Sequence, residues 1–257
     1  MRALPALLFG SVLLCGAAGA ADEPVRELDP VHVNAMRDPE VRKYKVILAG
    51  LDAFDDYHRL APNADRLRFH LDRRGRDANP AAPTVRLAGN EGFSLPLPVD
   101  ADGRFTVPRS SAAKDADSEL ELNRKRNLYR IAPDVRTPGL PAHQRRLGDL
   151  RLECRVTVAM AKEEIPFMIT VMINGILLTT DWCSFFNTTK NATFSFRTEA
   201  PIRQALLVEG KRSALLHTRE RSYDVPLGEE SWSDDAVIEL QYAEASAENQ
   251  EDYTPIP

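Results

Sequence analysis

Apolar and mostly polar residues alternate without a break from Leu150 to Met160. A repeat of two residues is typical of a β-strand that buries one face and exposes the other. The pattern therefore predicts a strand over this stretch, with Cys154 on its buried face.

The next apolar stretch predicts a β-hairpin. Phe167 to Ile173 and Ile176 to Thr180 are apolar runs on either side of Asn174-Gly175. Asn-Gly favours a type I′ turn, because both residues accept a positive φ. The first of these strands is apolar on both faces, so we expect it to be central and covered on both sides.

One helix is predicted near the N-terminus, from Tyr44 to Leu60. Its apolar residues recur at spacings of three and four, and Pro62 ends it. Asp55, Asp56 and His58 fall largely outside this stripe. They are open to two interpretations, acid–base or metal chemistry and a solvated face. Consecutive carboxylates on a helix point in different directions, which favours the solvated face.

Most other apolar segments are short and alternating, and they are bounded by turn residues. The predicted strands are Leu67 to Asp72, Thr84 to Ala88, Phe93 to Val99, Arg104 to Val107, Glu119 to Leu122, Leu128 to Ala132, Ala192 to Arg197, Gln204 to Val208, Ser213 to Thr218 and Val237 to Tyr242. Glu209 to Arg212 forms a hairpin turn, and His70 is expected on an exposed strand face. The predicted fold class is mainly β, with one or more antiparallel β-sandwiches, one N-terminal helix and a cleaved signal peptide.

The segment from Asp100 to Gly103 has two interpretations. Asp-x-Asp-Gly is half of a calcium-binding loop, but the chain returns at once to a strand, which favours a plain turn. Val99 to Val107 also resembles the closing hairpin of carboxypeptidase-regulatory-type, transthyretin-like β-sandwich modules. That resemblance implies a small seven-stranded sandwich with a binding or spacer role, and it implies no catalytic residue.

Pro133 to Arg146 contains three prolines and a glycine, which favour a connection over an element of secondary structure. We therefore expect a domain boundary here, although a long ordered loop around a single sandwich would give the same pattern. The predicted segments are a signal peptide (1–21), an N-terminal segment with the helix (22–64), a β-sandwich-like module (65–135), a connection (136–146), a disulfide-stapled β module (147–243) and a disordered acidic tail (244–257).

The first residues predict export from the cytoplasm. Arg2, an apolar run from Leu4 to Leu14 and the small residues Ala18-Gly19-Ala20 fit a cleaved secretory signal. The run is too short to span a bilayer, and no later stretch is long enough, so we expect no transmembrane helix in the mature chain. The alternative is a lipid anchor on Cys15. The predicted location is the periplasm or the exterior.

Two cysteines, Cys154 and Cys183, remain once Cys15 leaves with the signal. In an oxidising compartment a disulfide between them is the economical interpretation, and two unpaired core thiols are the alternative. Neither cysteine has a second cysteine or a histidine at ligand spacing, so no metal site is predicted.

Composition and motifs narrow the function only slightly. The chain has 257 residues, is 43% hydrophobic and 28% charged, and has a formal net charge of -5, which argues against a general nucleic-acid binder. No catalytic or cofactor-binding motif is present, so we predict no catalytic residue and no cofactor. Trp232, in a polar segment, is the predicted ligand-contact residue, because an exposed aromatic ring can stack on a sugar.

Three functional hypotheses follow. The first is a noncatalytic envelope protein that binds a protein or glycan partner. The second is a small periplasmic or secreted hydrolase whose site assembles only in the fold, and the third is a structural or assembly module. A wide apolar surface patch would favour the first or third hypothesis. A pocket with histidine beside a carboxylate would favour the second.

Overall fold

The computed structural model describes residues 38–75, 77, 79, 81–187 and 191–243. The predicted signal peptide (1–21), the alternative anchor at Cys15, the start of the N-terminal segment and the predicted acidic tail (244–257) lie outside the described residues.

The first half of the described chain forms two antiparallel sheets. In spatial order, the first sheet contains β1 (Pro39–Lys43), β6 (Glu119–Lys125), β3 (Val85–Ala88) and β4 (Ser94–Leu97). The second contains β5 (Arg104–Phe105), β2 (Arg68–Arg73) and β7 (Tyr129–Asp134). Every strand pair is antiparallel, as the alternating patterns predict.

The second half forms two more antiparallel sheets. One contains β11 (Arg212–Leu216), β10 (Ile202–Glu209), β14 (Val237–Tyr242) and β8 (Gln144–Arg146). The other contains β12 (Thr218–Arg219), β13 (Ser222–Val225) and β9 (Phe194–Arg197). The protein is therefore mainly β, and the predicted hairpin turn at Glu209 to Arg212 is confirmed by the pairing of β10 with β11.

The predicted N-terminal helix is confirmed as α1 (Tyr44–Asp56), followed by a 3₁₀ turn at His58–Leu60. Its buried residues include Val46, Ile47 and Phe54, which belong to the predicted apolar stripe. A short helix, α2 (Ser111–Asp115), was not predicted. The Ser110 side chain caps α2 by accepting a hydrogen bond from the backbone N–H of Ala113 at 3.1 Å.

The prediction of a strand from Leu150 to Met160 is wrong, because these residues lie in α3 (Leu147–Glu164). The helix has apolar contacts on two opposite sides, and on each side the contacting residues recur every four positions. One stripe contains Leu150, Cys154 and Val158, and the other contains Leu152, Val156 and Met160. Positions two apart on a helix lie about 200° apart, so two offset stripes imitate the alternation of a strand.

The two stripes of α3 contact two different hydrophobic clusters. The first cluster is built mainly from residues between Tyr44 and Val135, and the second from residues between Leu147 and Leu240. α1 packs closely on α3 at Gly50, where an added Cβ would lie 2.9 Å from Met160 Cγ. The predicted division into modules at 136–146 stays a prediction, although this segment does contain the strand β8.

The predicted hairpin around Asn174-Gly175 is also wrong. The chain forms α4 (Phe167–Leu177), which ends with Leu178 in the left-handed conformation at a φ of 53°. Asn174 lies inside the helix, and its carbonyl accepts a hydrogen bond from the backbone N–H of Thr179. Far from being central and covered, α4 has no buried residue. With α1, α3 and α4 present, the expectation of one N-terminal helix is incomplete.

The turn at Asp100 to Gly103 connects two sheets. Asp100 Oδ1 accepts hydrogen bonds from the backbone N–H groups of Asp102 and Arg104, and Gly103 has a φ of 75°. β4 pairs with β3, whereas β5 pairs with β2, so the segment does not close a hairpin. The side chain of Asp102 forms an ion pair with Arg104 at 3.1 Å, and both carboxylates therefore serve the turn.

Candidate functional site

The exposed helix surface is the most unusual feature of the described chain. It is formed by the large apolar side chains that α4 and the residue after it present to solvent: Phe167, Met168, Ile169, Val171, Met172, Ile176 and Leu178. The exposed fraction is 77% for Phe167, 70% for Ile176 and 89% for Leu178. Soluble monomers rarely leave an apolar patch of this kind uncovered, and such patches mark interaction surfaces.

A disulfide holds the loop that presents this surface. Cys154 in α3 is bonded to Cys183 beyond α4, with their Cα atoms 6.1 Å apart, which confirms the predicted pairing. The closed loop contains the second half of α3, all of α4 and Trp182. The Trp182 indole N–H donates a hydrogen bond of 2.7 Å to Asn174 Oδ1, and this bond fixes the end of α4.

The charges around the exposed helix surface are paired with one another. Glu164 bonds Arg42 at 2.8 Å, Glu163 lies 3.6 Å from Lys45, and Arg155 bonds Asp181. α4 itself contains no charged residue. The uncharged helix is therefore flanked along the chain by charged residues, most of which form ion pairs, and an apolar centre with polar surroundings is typical of protein–protein interfaces.

Lys162 of α3 contacts the segment that follows α4. Its ammonium group lies 5.0 Å from the centre of the Trp182 ring and donates a hydrogen bond to the carbonyl of Thr180 at 2.9 Å. Burial lowers the pKa of Lys162. This contact, like the disulfide, keeps the end of the loop ordered beside α3.

Trp232, the predicted ligand-contact residue, is half-buried at the edge of the second hydrophobic cluster. The guanidinium carbon of Arg212 lies 3.9 Å from the centre of its ring, so one face is already covered. Its carbonyl accepts a hydrogen bond from Arg151 at 3.0 Å. Sugar stacking on Trp232 stays a prediction.

The described histidines do not gather into one site. His58 donates to the carbonyl of Ala64, His217 bonds Asp224, and His143 is exposed. His70 was expected on an exposed face, but its side chain is only 21% exposed and lies 3.8 Å from Glu199. Both residues line one cleft, so a histidine does lie beside a carboxylate there, as the hydrolase hypothesis expects, although Glu199 also bonds Arg104 at 2.8 Å. Within the described ranges, no three histidine, cysteine or acidic side chains converge as metal ligands.

The acidic residues of α1 serve an ion pair on the surface. Arg109 bonds Asp52 at 2.6 Å and Asp55 at 2.7 Å, and all three side chains are exposed. This geometry favours the solvated-face interpretation of the acidic pair over acid–base or metal chemistry.

A buried ion-pair network lies where the two halves of the chain meet. Arg145 of β8 bonds Glu153 of α3 at 2.8 Å and lies 3.9 Å from Asp134 of β7. Asp134 also bonds Arg104 at 2.8 Å and Arg136 at 3.0 Å. Burial acts to raise the pKa of Asp134, but the surrounding guanidinium groups of Arg145, Arg136 and Arg104 hold it at about 2.

For Glu153, the effect of burial on the pKa outweighs the effect of the nearby positive charge. Burial raises the pKa of Glu153 above its ordinary value, although the positive charge of Arg145 opposes the change. Its carboxylate also accepts a hydrogen bond of 3.2 Å from the backbone N–H of Val135. The network thus connects α3 to both β7 and β8.

Comparisons with known proteins assign no function to this chain. No protein-family model, no curated protein and no solved structure matches this chain.

The pKa of Asp134 predicts an acid-dependent loss of stability. Because this pKa is lower in the folded state than the ordinary 3.8, the stabilisation is present above pH 4 and is lost as the pH falls toward 2. Asp134→Asn is expected to remove about 2 kcal/mol of this pH dependence. Urea unfolding at pH values from 2 to 5 would measure it, and parallel pH curves for the two proteins would contradict the prediction.

Neither the exposed helix surface nor the buried network was foreseen from the sequence. The signal for the first is the absence of any charged residue between Pro166 and Thr180, which we interpreted as a buried hairpin. The signal for the second is weaker. Arg104, Asp134, Arg145 and Glu153 are far apart along the chain, and only the fold brings them together.

Proposed function

We propose that this protein is an exported, noncatalytic binding module that uses the exposed helix surface to engage a protein partner. The observation that carries the proposal is that an entirely uncharged helix has no buried residue. An apolar helix that docks into a groove on another protein is a recurring mode of recognition.

The charge distribution favours a protein over a lipid surface. Helices that lie on anionic membranes carry lysine or arginine along their polar face, and α4 carries neither. Arg42, Lys45 and Arg155 have acidic partners, and Lys162 lies over the Trp182 ring and bonds the carbonyl of Thr180. A neutral apolar groove on a partner protein is the complementary surface, and Met168 and Met172 provide side chains that adapt to its shape.

Preorganisation supports the same function. The Cys154–Cys183 bond, the Trp182–Asn174 hydrogen bond and the Lys162–Thr180 hydrogen bond restrain both ends of the loop that carries α4. A helix that is ordered before binding loses less conformational entropy when it docks.

The proposal extends to the sandwich type of the fold and to the location of the protein. We infer that the two hydrophobic clusters are the cores of sandwich-like antiparallel modules, and that the chain acts in the periplasm or outside the cell. The disulfide is compatible with an oxidising compartment. Among the described helices, none has both the length and the apolar character needed to cross a membrane.

Photo-crosslinking in cells that export the protein tests the proposed docking. With a photoreactive residue at Met172, we expect one discrete adduct with another protein. The double variant Phe167→Asp/Ile176→Asp should reduce the adduct at least about 30-fold, because loss of a central apolar anchor typically costs 2 kcal/mol or more. Its thermal unfolding should match the wild type, since both side chains are exposed.

Leu215 of β11 provides the matched control. It is 69% exposed and lies in a β-strand that is not part of the exposed helix surface, so Leu215→Asp should leave the adduct unchanged. An adduct at twice the mass of the chain would show self-association in place of a partner. Binding of the purified protein to anionic phosphatidylglycerol vesicles, abolished by the double variant, would show a lipid surface. Either result would contradict the proposal.

A further inference from the structure

A second recognition site is suggested by a cleft on another part of the molecule. The cleft has a volume of about 240 Å³ and opens between the sheet of β5, β2 and β7 and the sheet of β12, β13 and β9. β8, α3 and β14 also contribute to its walls. Its polar lining is dominated by guanidinium and carboxylate groups. Burying a charged group is costly unless it is paired, so each of these groups needs a partner.

Five arginines line the cleft, and four of them are paired. They are Arg104, Arg130, Arg136, Arg145 and Arg197. Arg104 and Arg136 bond Asp134, Arg145 bonds Glu153 at 2.8 Å, and Arg197 lies 3.2 Å from Asp72. The guanidinium of Arg130 forms no hydrogen bond or ion pair with any residue that the structure describes. Burial lowers the pKa of Arg130, so this charge is partly withdrawn from water without a direct partner.

Two further donors in the cleft lack acceptors. Tyr223 is 1% exposed and Arg145 is 6% exposed, and both line the cleft. Tyr223 Oη and Arg145 Nε have no hydrogen-bond partner among the described residues. Unsatisfied buried polar groups are rare in native proteins, and in a cleft they indicate positions where a ligand or water accepts the bond. Burial raises the pKa of Tyr223 to about 12, which keeps its hydroxyl protonated at neutral pH.

The charged side chains that line the cleft sum to a formal charge of zero, so a ligand group would be selected by local pairing and not by net charge. Five carboxylates oppose the five arginines, namely Asp72, Asp102, Asp134, Glu153 and Glu199. All five lie within ion-pair distance of an arginine, and among the described arginines that line the cleft Arg130 alone forms no ion pair. The one guanidinium without an ion pair can bind a single carboxylate directly, whereas a phosphate dianion would bring two negative charges into a cleft that is formally neutral.

From this geometry we propose that the cleft binds a small carboxylate-bearing ligand of about the size of a monosaccharide, such as a uronic acid. The planar fork of Arg130 matches the two oxygens of a carboxylate, which it binds with two parallel hydrogen bonds. Tyr223 Oη and Arg145 Nε donate to the remaining oxygens of the ligand. Phe194 and Tyr242 lie along the same cleft and provide apolar surface for the ligand ring.

Titration calorimetry at constant ionic strength tests the site with glucuronate, galacturonate, glucose and inorganic phosphate. Glucose and glucuronate differ only in the carboxylate at carbon 6, so we expect at least one of the two uronates to bind and glucose not to bind. Arg130→Met should weaken that binding at least tenfold, because a charge-assisted hydrogen bond typically contributes about 1.5 kcal/mol or more. Arg68→Met is the matched control, since Arg68 is exposed on β2 and does not line the cleft.

Tyr223→Phe separates a ligand contact from a structural role. It keeps the ring, which stacks on Phe196 with centroids 5.9 Å apart, and removes only the unpartnered hydroxyl. We expect weaker uronate binding with an unchanged or higher melting temperature in the absence of ligand. A lower melting temperature with unchanged binding would show that the hydroxyl is structural.

Three results would overturn the carboxylate site. The first is that neither uronate binds at concentrations up to about 10 mM, which corresponds to a free energy too weak for recognition. The second is that glucose binds as tightly as glucuronate. The third is that inorganic phosphate binds more tightly than both uronates, which would assign the cleft to a different anion.

Discussion

Arg145→Met is expected to lower the free energy of unfolding by about 3–5 kcal/mol near pH 7, because removing one member of a buried ion pair leaves the other charge uncompensated. Methionine retains most of the apolar length of the arginine side chain, so the loss of packing is small. Among the described residues, the Glu153 carboxylate would then keep one hydrogen-bond donor, the backbone N–H of Val135. Chemical unfolding monitored by circular dichroism measures the difference.

The loss is expected to depend on pH. Burial already raises the pKa of Glu153 above its ordinary value of 4.5, and loss of Arg145 would raise that pKa further. A carboxyl group with a raised pKa in the folded state reduces stability as the pH rises above its unfolded value. The deficit of Arg145→Met should therefore be smallest near pH 4 and should grow toward pH 7.

The matched control is the double variant Arg145→Met/Glu153→Gln. Glutamine removes the uncompensated charge, and its carbonyl can still accept the Val135 hydrogen bond, so we expect part of the stability to return. The double-mutant cycle isolates the coupling between the two side chains. A loss below 1 kcal/mol in Arg145→Met, with no pH dependence, would mean that Arg145 and Glu153 do not form a buried ion pair in solution.

Removing the disulfide is expected to have the other large effect. Cys154→Ala/Cys183→Ala opens a loop with a sequence separation of 29 residues. We expect a loss of about 3–4 kcal/mol, because the unfolded chain regains the entropy that the closed loop withheld. For a chain of this size the melting temperature should fall by about 10 °C. Alanine is preferred to serine because both positions are buried and a hydroxyl would lack a partner.

Wild-type protein treated with reductant is the control for the cysteine variant. The reduced protein and the double variant should unfold at the same temperature, and both should retain the β-rich circular dichroism spectrum. Photo-crosslinking through Met172 should weaken in both, because α4 lies inside the opened loop. Unchanged stability in the variant, or two free thiols in the untreated protein, would remove the basis for a stapled loop.

The success of the strand predictions has a local cause. Confirmed strands such as β2 and β6 contact one hydrophobic cluster with one face, so apolar and polar residues alternate along their sequences. The Glu209 to Arg212 turn was also predictable, since Gly210 provides the positive φ of 60° that the turn requires. Helix α1 was found for the same reason, because its apolar stripe faces a single core.

The two segments that were predicted as strands but form helices have unusual surroundings. α3 is buried on opposite sides by separate clusters, and its doubled stripe imitates the period of a strand. α4 is apolar without being buried, so the usual inference from hydrophobicity to the interior gives the wrong answer. The arginine-lined cleft could not be found at all, because its members come from distant strands and from α3.

The sequence by itself determined the β class, most strand positions, the first helix and the cysteine pairing, since each depends on local periodicity, turn chemistry or the number of available partners. Only the tertiary structure decided that α3 connects two cores, that α4 remains exposed, and that Arg130, Arg145 and Tyr223 line one cleft. These features depend on which surfaces meet across long separations in the chain. Local sequence patterns do not specify these tertiary contacts, because the same apolar run can be buried in a core or exposed as an interaction surface.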